Sequence, residues 1–201
     1  MSDIELYRDD GVFAHTLGRI KLPIPPLLLI LAGGIPLAVA IAVTGDDASD
    51  GLVFGAVVWF IVWAGLSAGT PHTDRIRWSV PPALRVAEYS TVVWIAANAG
   101  DSSLPAAFAF LAVLAYRHYD LVYRLRHQGV APPAWLGFGG WDGRLFLIVL
   151  FLLADWLPAA LFVAAAVMVV VFVSESAASW VRFTRAAGQA GLYDDEEDEI
   201  Q

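Results

Sequence analysis

Two uncharged apolar runs decide what this chain can fold into. Leu22–Thr44 contains no ionisable residue, follows Lys21 and stops at Gly45-Asp46-Asp47. Gly51–Thr70 is likewise uncharged and stops at the polar turn Pro71-His72-Thr73-Asp74. A helix rises about 1.5 Å per residue, so about 20 apolar residues cross a hydrocarbon core of roughly 30 Å. Both runs meet that length. The remainder of the chain agrees with them, since 58% hydrophobic residues against 16% charged leave too little polar surface to cover a soluble domain. The chain has no Cys, which removes disulfide scaffolds, thiolate metal sites and Cys nucleophiles.

Four further spans carry charge toward one end. They are Pro82–Ala99 with Arg85 and Glu88, Leu104 to about His127, Asp142–Leu157 with Arg144, and Pro158 to about Trp180 with Glu175. The last two are divided at Asp155-Trp156-Leu157-Pro158, where proline at a first helical position suits a tight reversal. The expected fold is therefore all-α, a polytopic membrane protein of six transmembrane helices. Six spans place Arg8, Arg19, Lys21, Arg75, Arg77, Arg85, Arg117, Arg124, Arg126, Arg144, Arg182 and Arg185 on one side, and Asp46, Asp47, Asp50, Asp101 and Asp155 on the other. The positive-inside rule then puts both termini in the cytoplasm of a protein spanning the cell inner (cytoplasmic) membrane. Residues 1–21 read as a cytoplasmic N-terminal segment, 22–185 as the membrane domain, and 186–201 as an acidic, disordered tail. Ala38-Val39-Ala40 resembles a signal-peptidase site, but its apolar run is too long and begins too late, so the first span is expected to be retained.

Ionisable groups inside a bilayer are costly unless paired or hydrated, and so mark function or helix stitching. The turn near Gly100–Ser103 sets Glu88 level with Arg117 and Arg85 level with Asp120 in an antiparallel pair. Glu88 lies about 18 Å in from the outer end at helical rise. Arg117, Asp120, Arg124 and His127 share one helix face, as do Glu175, Ser179 and Arg182. Asp142 and Arg144 start the fifth span at a similar depth. Glu88, Asp120, Asp142 and Glu175, with Arg85, Arg117, Arg124, Arg144 and either His118 or His127, are thus expected to converge in one cytoplasm-facing polar cavity.

Arginine holds phosphate in a planar fork, and eleven Arg against one Lys suits a site for an anionic headgroup. The expected function is binding of a phosphorylated lipid or nucleotide-linked headgroup. Arg85, Arg117, Arg124, Arg144, His118 and His127 would bind the headgroup, and membrane lipids rather than nucleic acid are the partners. Two alternatives stand beside it. In one, Glu88, Asp120, Asp142 or Glu175 are catalytic, as Mg²⁺ ligands or general base in a phosphotransferase-like enzyme. In the other, the ion pairs only neutralise each other and fix helix register in a structural or assembly protein. Gly65-Leu66-Ser67-Ala68-Gly69 fits G-x-S-x-G but lies inside an apolar helix and not at a strand-to-helix elbow, so Ser67 is not expected to be a nucleophile. Gly137-Phe138-Gly139-Gly140 reads as a flexible connector.

Three stretches carry a resemblance: Asp74-Arg75-Ile76-Arg77-Trp78-Ser79-Val80-Pro81-Pro82-Ala83-Leu84-Arg85-Val86-Ala87-Glu88-Tyr89; Tyr116-Arg117-His118-Tyr119-Asp120-Leu121-Val122-Tyr123-Arg124-Leu125-Arg126-His127; and Pro132-Pro133-Ala134-Trp135 with Gly140-Trp141-Asp142-Gly143-Arg144. Together they resemble an actinobacterial membrane domain, without an assigned reaction, that often follows nucleotidyltransferase and CDP-alcohol phosphotransferase modules. The resemblance implies such an enzyme as partner, and with it a role accessory to envelope-lipid phosphotransfer. The chain itself lacks the phosphotransferase motif D-x-x-D-G-x-x-A-R. Asp10-Gly11-Val12-Phe13-Ala14 matches a fragment, but Tyr7 stands at the first Asp position and His15 at the Arg.

Overall fold

The computed structural model describes residues 7–70 and 76–198. The Pro71-His72-Thr73-Asp74 turn and Arg75, which the sequence places at the inner surface, lie outside the described residues. Among the described residues the regular structure is helical: α1 Val12–Leu17, α2 Pro26–Thr44, α3 Asp50–Leu66, α4 Val80–Asn98, α5 Ser103–Tyr123, α6 Gly140–Leu153 and α7 Leu157–Asp198.

Local chemistry sets the boundaries. Pro26 opens α2 where no amide is needed, and Gly45 closes it at φ 57°. Ser49 caps α3 by accepting the Leu52 amide at 3.4 Å, with Asp50 in the first turn. The break between α6 and α7 falls at Asp155, whose φ of 56° no helix accommodates. The last helix runs on through the acidic segment to Asp198.

Pro26–Thr44, Asp50–Gly69, Trp135–Leu153 and Leu157–Arg185 are long and apolar enough to cross a membrane. On α2 the point is visible residue by residue: Leu29, Ile30 and Leu37 are buried, yet Leu28, Leu31, Ile35, Val39 and Val43 are exposed. A helix that is apolar on both faces suits a lipid surround rather than water. Helices α4 and α5 match these in length but carry Arg85 and Glu88, and Arg117 and Asp120.

α2 packs along α3, where the Trp59 indole donates to the Ala32 carbonyl at 3.1 Å, and α5 packs along α7. At the end of α4, Asn98 receives the Ala48 amide at 2.6 Å and donates to the Gly45 carbonyl at 3.2 Å, tying the α2–α3 loop to the bundle. The core holds Phe60, Leu84, Ile95, Leu114, Trp141 and Leu145. Residues 7–17, which the sequence places in a segment before the membrane domain, lie within this bundle. There α1 rests against α3 and α6.

Candidate functional site

Asp9 forms the hub of the polar interior, with a side chain only 8% exposed. Its Oδ1 accepts from Arg117 Nη2 on α5 at 2.7 Å, and its Oδ2 from Arg144 Nη1 on α6 at 2.9 Å. Arg85 Nη2 on α4 stands 3.9 Å from Oδ2 and His118 Nε2 stands 3.8 Å from it. Burial acts to raise the Asp9 pKa. The opposing pull of Arg144, His118, Arg117 and Arg85 is greater, and holds this carboxylate well below the usual range.

Glu88 is the second carboxylate of this network, receiving Arg144 Nε at 2.7 Å and Arg85 Nη1 at 3.0 Å. The same guanidiniums also reach backbone. Arg117 Nε bonds the Leu136 carbonyl at 2.7 Å, Arg144 Nη1 the Gly137 carbonyl at 2.6 Å, and Arg85 Nη2 the carbonyls of Tyr7 and Arg8 at 3.1 Å each. Arg117 also lies over the Phe172 ring, 5.7 Å from its centroid. The His118 Nδ1 is 2.8 Å from the Tyr89 hydroxyl. That contact keeps the antiparallel level expected for α4 and α5, but the pairing differs from expectation: Arg117 turns to Asp9, and Glu88 to Arg144 and Arg85.

Asp142 is occupied differently. It accepts the Gly11 amide at 2.6 Å and the Ala14 amide at 3.0 Å. Glycine at the cap of α1 has no side chain to satisfy these donors, so α6 supplies the cap. Asp10 bonds Arg8 Nε at 2.7 Å and the Trp141 indole at 2.8 Å, while Arg8 Nη2 reaches Ser67 Oγ at 3.1 Å. The segment docks so closely that a Cβ on Gly11 would overlap the Gly139 carbonyl, and one on Gly140 the Gly11 amide. The 137–140 stretch is therefore a seat rather than a loose connector: Phe138, Gly139 and Gly140 all hold positive φ, and Leu136 and Gly137 offer carbonyls to the arginines.

A second network joins α5 to α7. Arg124 Nε contacts Asp120 Oδ2 at 2.7 Å and its Nη1 lies 3.5 Å from Glu175. Arg182 bonds Glu175 at 2.8 Å, and Ser176 Oγ bonds Asp120 at 3.2 Å. His127 belongs to neither network. It is exposed, with its ring 4.6 Å from that of Tyr123. The single cavity expected from sequence is thus two networks: Arg85, Glu88, Arg117, His118 and Arg144 in one, Asp120, Arg124 and Glu175 in the other, with Asp142 beside the first as a helix cap. Sequence reasoning missed Asp9, Asp10 and Arg8.

Beside the first network lies a cavity of about 460 Å³. Arg85, His118 and Arg126 are its basic lining, and Tyr7, Trp78 and Leu121 are among the groups that complete its wall. Among the described residues, no three His, Asp or Glu side chains gather as a metal-holding set. Of the carboxylates named for Mg²⁺, Glu88, Asp120 and Glu175 face guanidiniums and Asp142 faces backbone amides.

No curated protein and no solved structure matches the chain. The model of a family of unknown function, DUF5941, matches residues 3–199, the Asp9 segment and both ionic networks included, and the chain belongs to that family.

Proposed function

We propose that the protein is a six-span module of the cytoplasmic membrane, both termini inside, that holds a phosphorylated amphiphile at its inner edge. The observation that carries this reading is the 460 Å³ cavity, where Arg85, His118 and Arg126 stand among Trp78, Pro81, Pro82, Leu121 and Val122. Cationic donors beside an apolar wall suit a phosphate joined to a hydrocarbon chain. In this reading α4 and α5 are the two remaining spans, their charges tolerated because they pair inside the bundle. The bound headgroup is the substrate or product of a separate nucleotidyltransferase or CDP-alcohol phosphotransferase, which makes the module accessory to envelope-lipid phosphotransfer.

Native mass spectrometry of the protein extracted from membranes tests this. The expected spectrum shows retained phospholipid or polyprenyl phosphate, reduced several-fold by Arg126→Ala, whose exposed side chain takes part in no network described above. Retention of neutral and phosphorylated lipids alike, unchanged by that substitution, would overturn it.

A further inference from the structure

The cradle around Asp9 holds more donors than one carboxylate satisfies. Arg144 Nη2 and His118 Nε2 are buried with no hydrogen-bond partner among the described residues, and the Arg144 side chain is only 4% exposed. His118 Nδ1 already meets the Tyr89 hydroxyl, and the tautomer with Nε2–H aimed at Asp9 is the one its carboxylate favours. Charge is unbalanced in the same sense. Among the described residues, Arg85, Arg117 and Arg144 pair with Glu88 and Asp9, three positive charges against two negative. A phosphate monoester carries about −1.5 to −2 at pH 7 and offers three acceptor oxygens. In place of Asp9 it would neutralise the cradle and give both orphan donors an acceptor.

We propose that Asp9 is an internal stand-in for a phosphoryl oxyanion, and that the cradle of Arg85, Arg117, Arg144 and His118 takes that group when the N-terminal segment withdraws. The inference deepens the cavity reading and rests on it. The two spaces share a wall: Arg85 and His118 line the cavity, and so does Tyr7, the residue whose carbonyl Arg85 holds. Withdrawal of Tyr7 to Asp9 joins cavity and cradle into one site. The segment is built for exchange. Asp9 sits at φ 55°, a left-handed conformation uncommon for a residue other than glycine, and α1 depends on Asp142 for its cap. An emptied cradle would leave three buried guanidiniums short of an anion, so the segment leaves as phosphate arrives and the two compete.

The full chain in nanodiscs, carrying Ala14→Cys as its one thiol, reads both halves of the exchange. Ala14, on α1 of the docked segment, is fully buried. Polyprenyl monophosphate or inorganic phosphate is added while affinity and maleimide labelling are followed. The expected result is that Asp9→Asn binds about tenfold more tightly than the parent, and that the ligand accelerates labelling of the parent. An effect with both probes assigns free phosphate as sufficient; an effect with the lipid alone assigns a headgroup. Where Asp9→Asn does not fold, Gly11→Ala undocks the segment without touching the cradle and is expected to tighten binding in the same way. If the parent binds in an Arg126-dependent manner but these variants bind no more tightly and labelling stays slow, the exchange is overturned while the cavity reading stands. If no variant binds either probe, both fall.

Discussion

At Asp9 a single carboxylate meets guanidiniums carried by three helices, and the consequence is a pH dependence with a definite sign. Its pKa is lower in the folded protein than in the unfolded chain, so it stabilises the fold above the unfolded value of about 3.9. That stabilisation is lost as pH falls below this value toward the lowered folded one. Thermal unfolding in detergent is expected to show no Asp9-dependent change between pH 8 and pH 5. Below about pH 4 the parent should lose stability that Asp9→Asn never had; parallel curves for the two proteins throughout would contradict the assignment. Glu88 makes a second residue-scale test. Glu88→Ala leaves Arg144 and Arg85 without their shared carboxylate in a buried site, a change expected to cost about 3–5 kcal/mol by denaturant unfolding.

Among the elements, α1 has the least support of its own. Six residues long, it is capped by α6 and seated on the 137–140 turn. Gly11→Ala is therefore expected to free it: an Ala14→Cys thiol should react with maleimide at least tenfold faster in that background, and equal rates would show that the contact is not limiting. The long helices were legible from the sequence because their signal is local, an apolar run closed by glycine, proline or charge. Gly45 and Asp155 act within a residue or two of the expected boundaries, whereas Pro26 opens α2 four residues beyond the expected Leu22. The role of residues 7–17 was not legible, because nothing in a short polar stretch announces that it folds back. Counting charges did not help. Arg85, Arg117, Arg124 and Arg144 are matched in number by Glu88, Asp120, Asp142 and Glu175, so no missing carboxylate pointed to Asp9. The shortfall arises only because Asp142 is taken by backbone amides.

For the whole molecule, apolar side chains cover the outside of α2 while arginines and carboxylates fill one end of the interior. A membrane is the surround in which that distribution is stable. The proposed topology is open to direct mapping because the chain contains no Cys. Single cysteines replacing Asp47, Asp101 and Asp155 are expected to react with an impermeant reagent added to intact cells, and one replacing Arg126 only after lysis. Protection of the aspartate positions would contradict six spans with both termini inside. The sequence also anticipated that the ionisable residues inside would be arginine-rich, since apolar helices expose any charge they carry; it could not divide them into two networks, which depends on how α6 and α7 rotate about their axes. The claim that unites these scales is recognition of a phosphoryl group at the inner edge. Its most direct measurement is the affinity of the protein in nanodiscs for a polyprenyl phosphate against the matching polyprenol. Charge-assisted hydrogen bonds at about 1.5–3 kcal/mol each predict a preference for the phosphate of at least tenfold; equal affinity for the two would contradict the account.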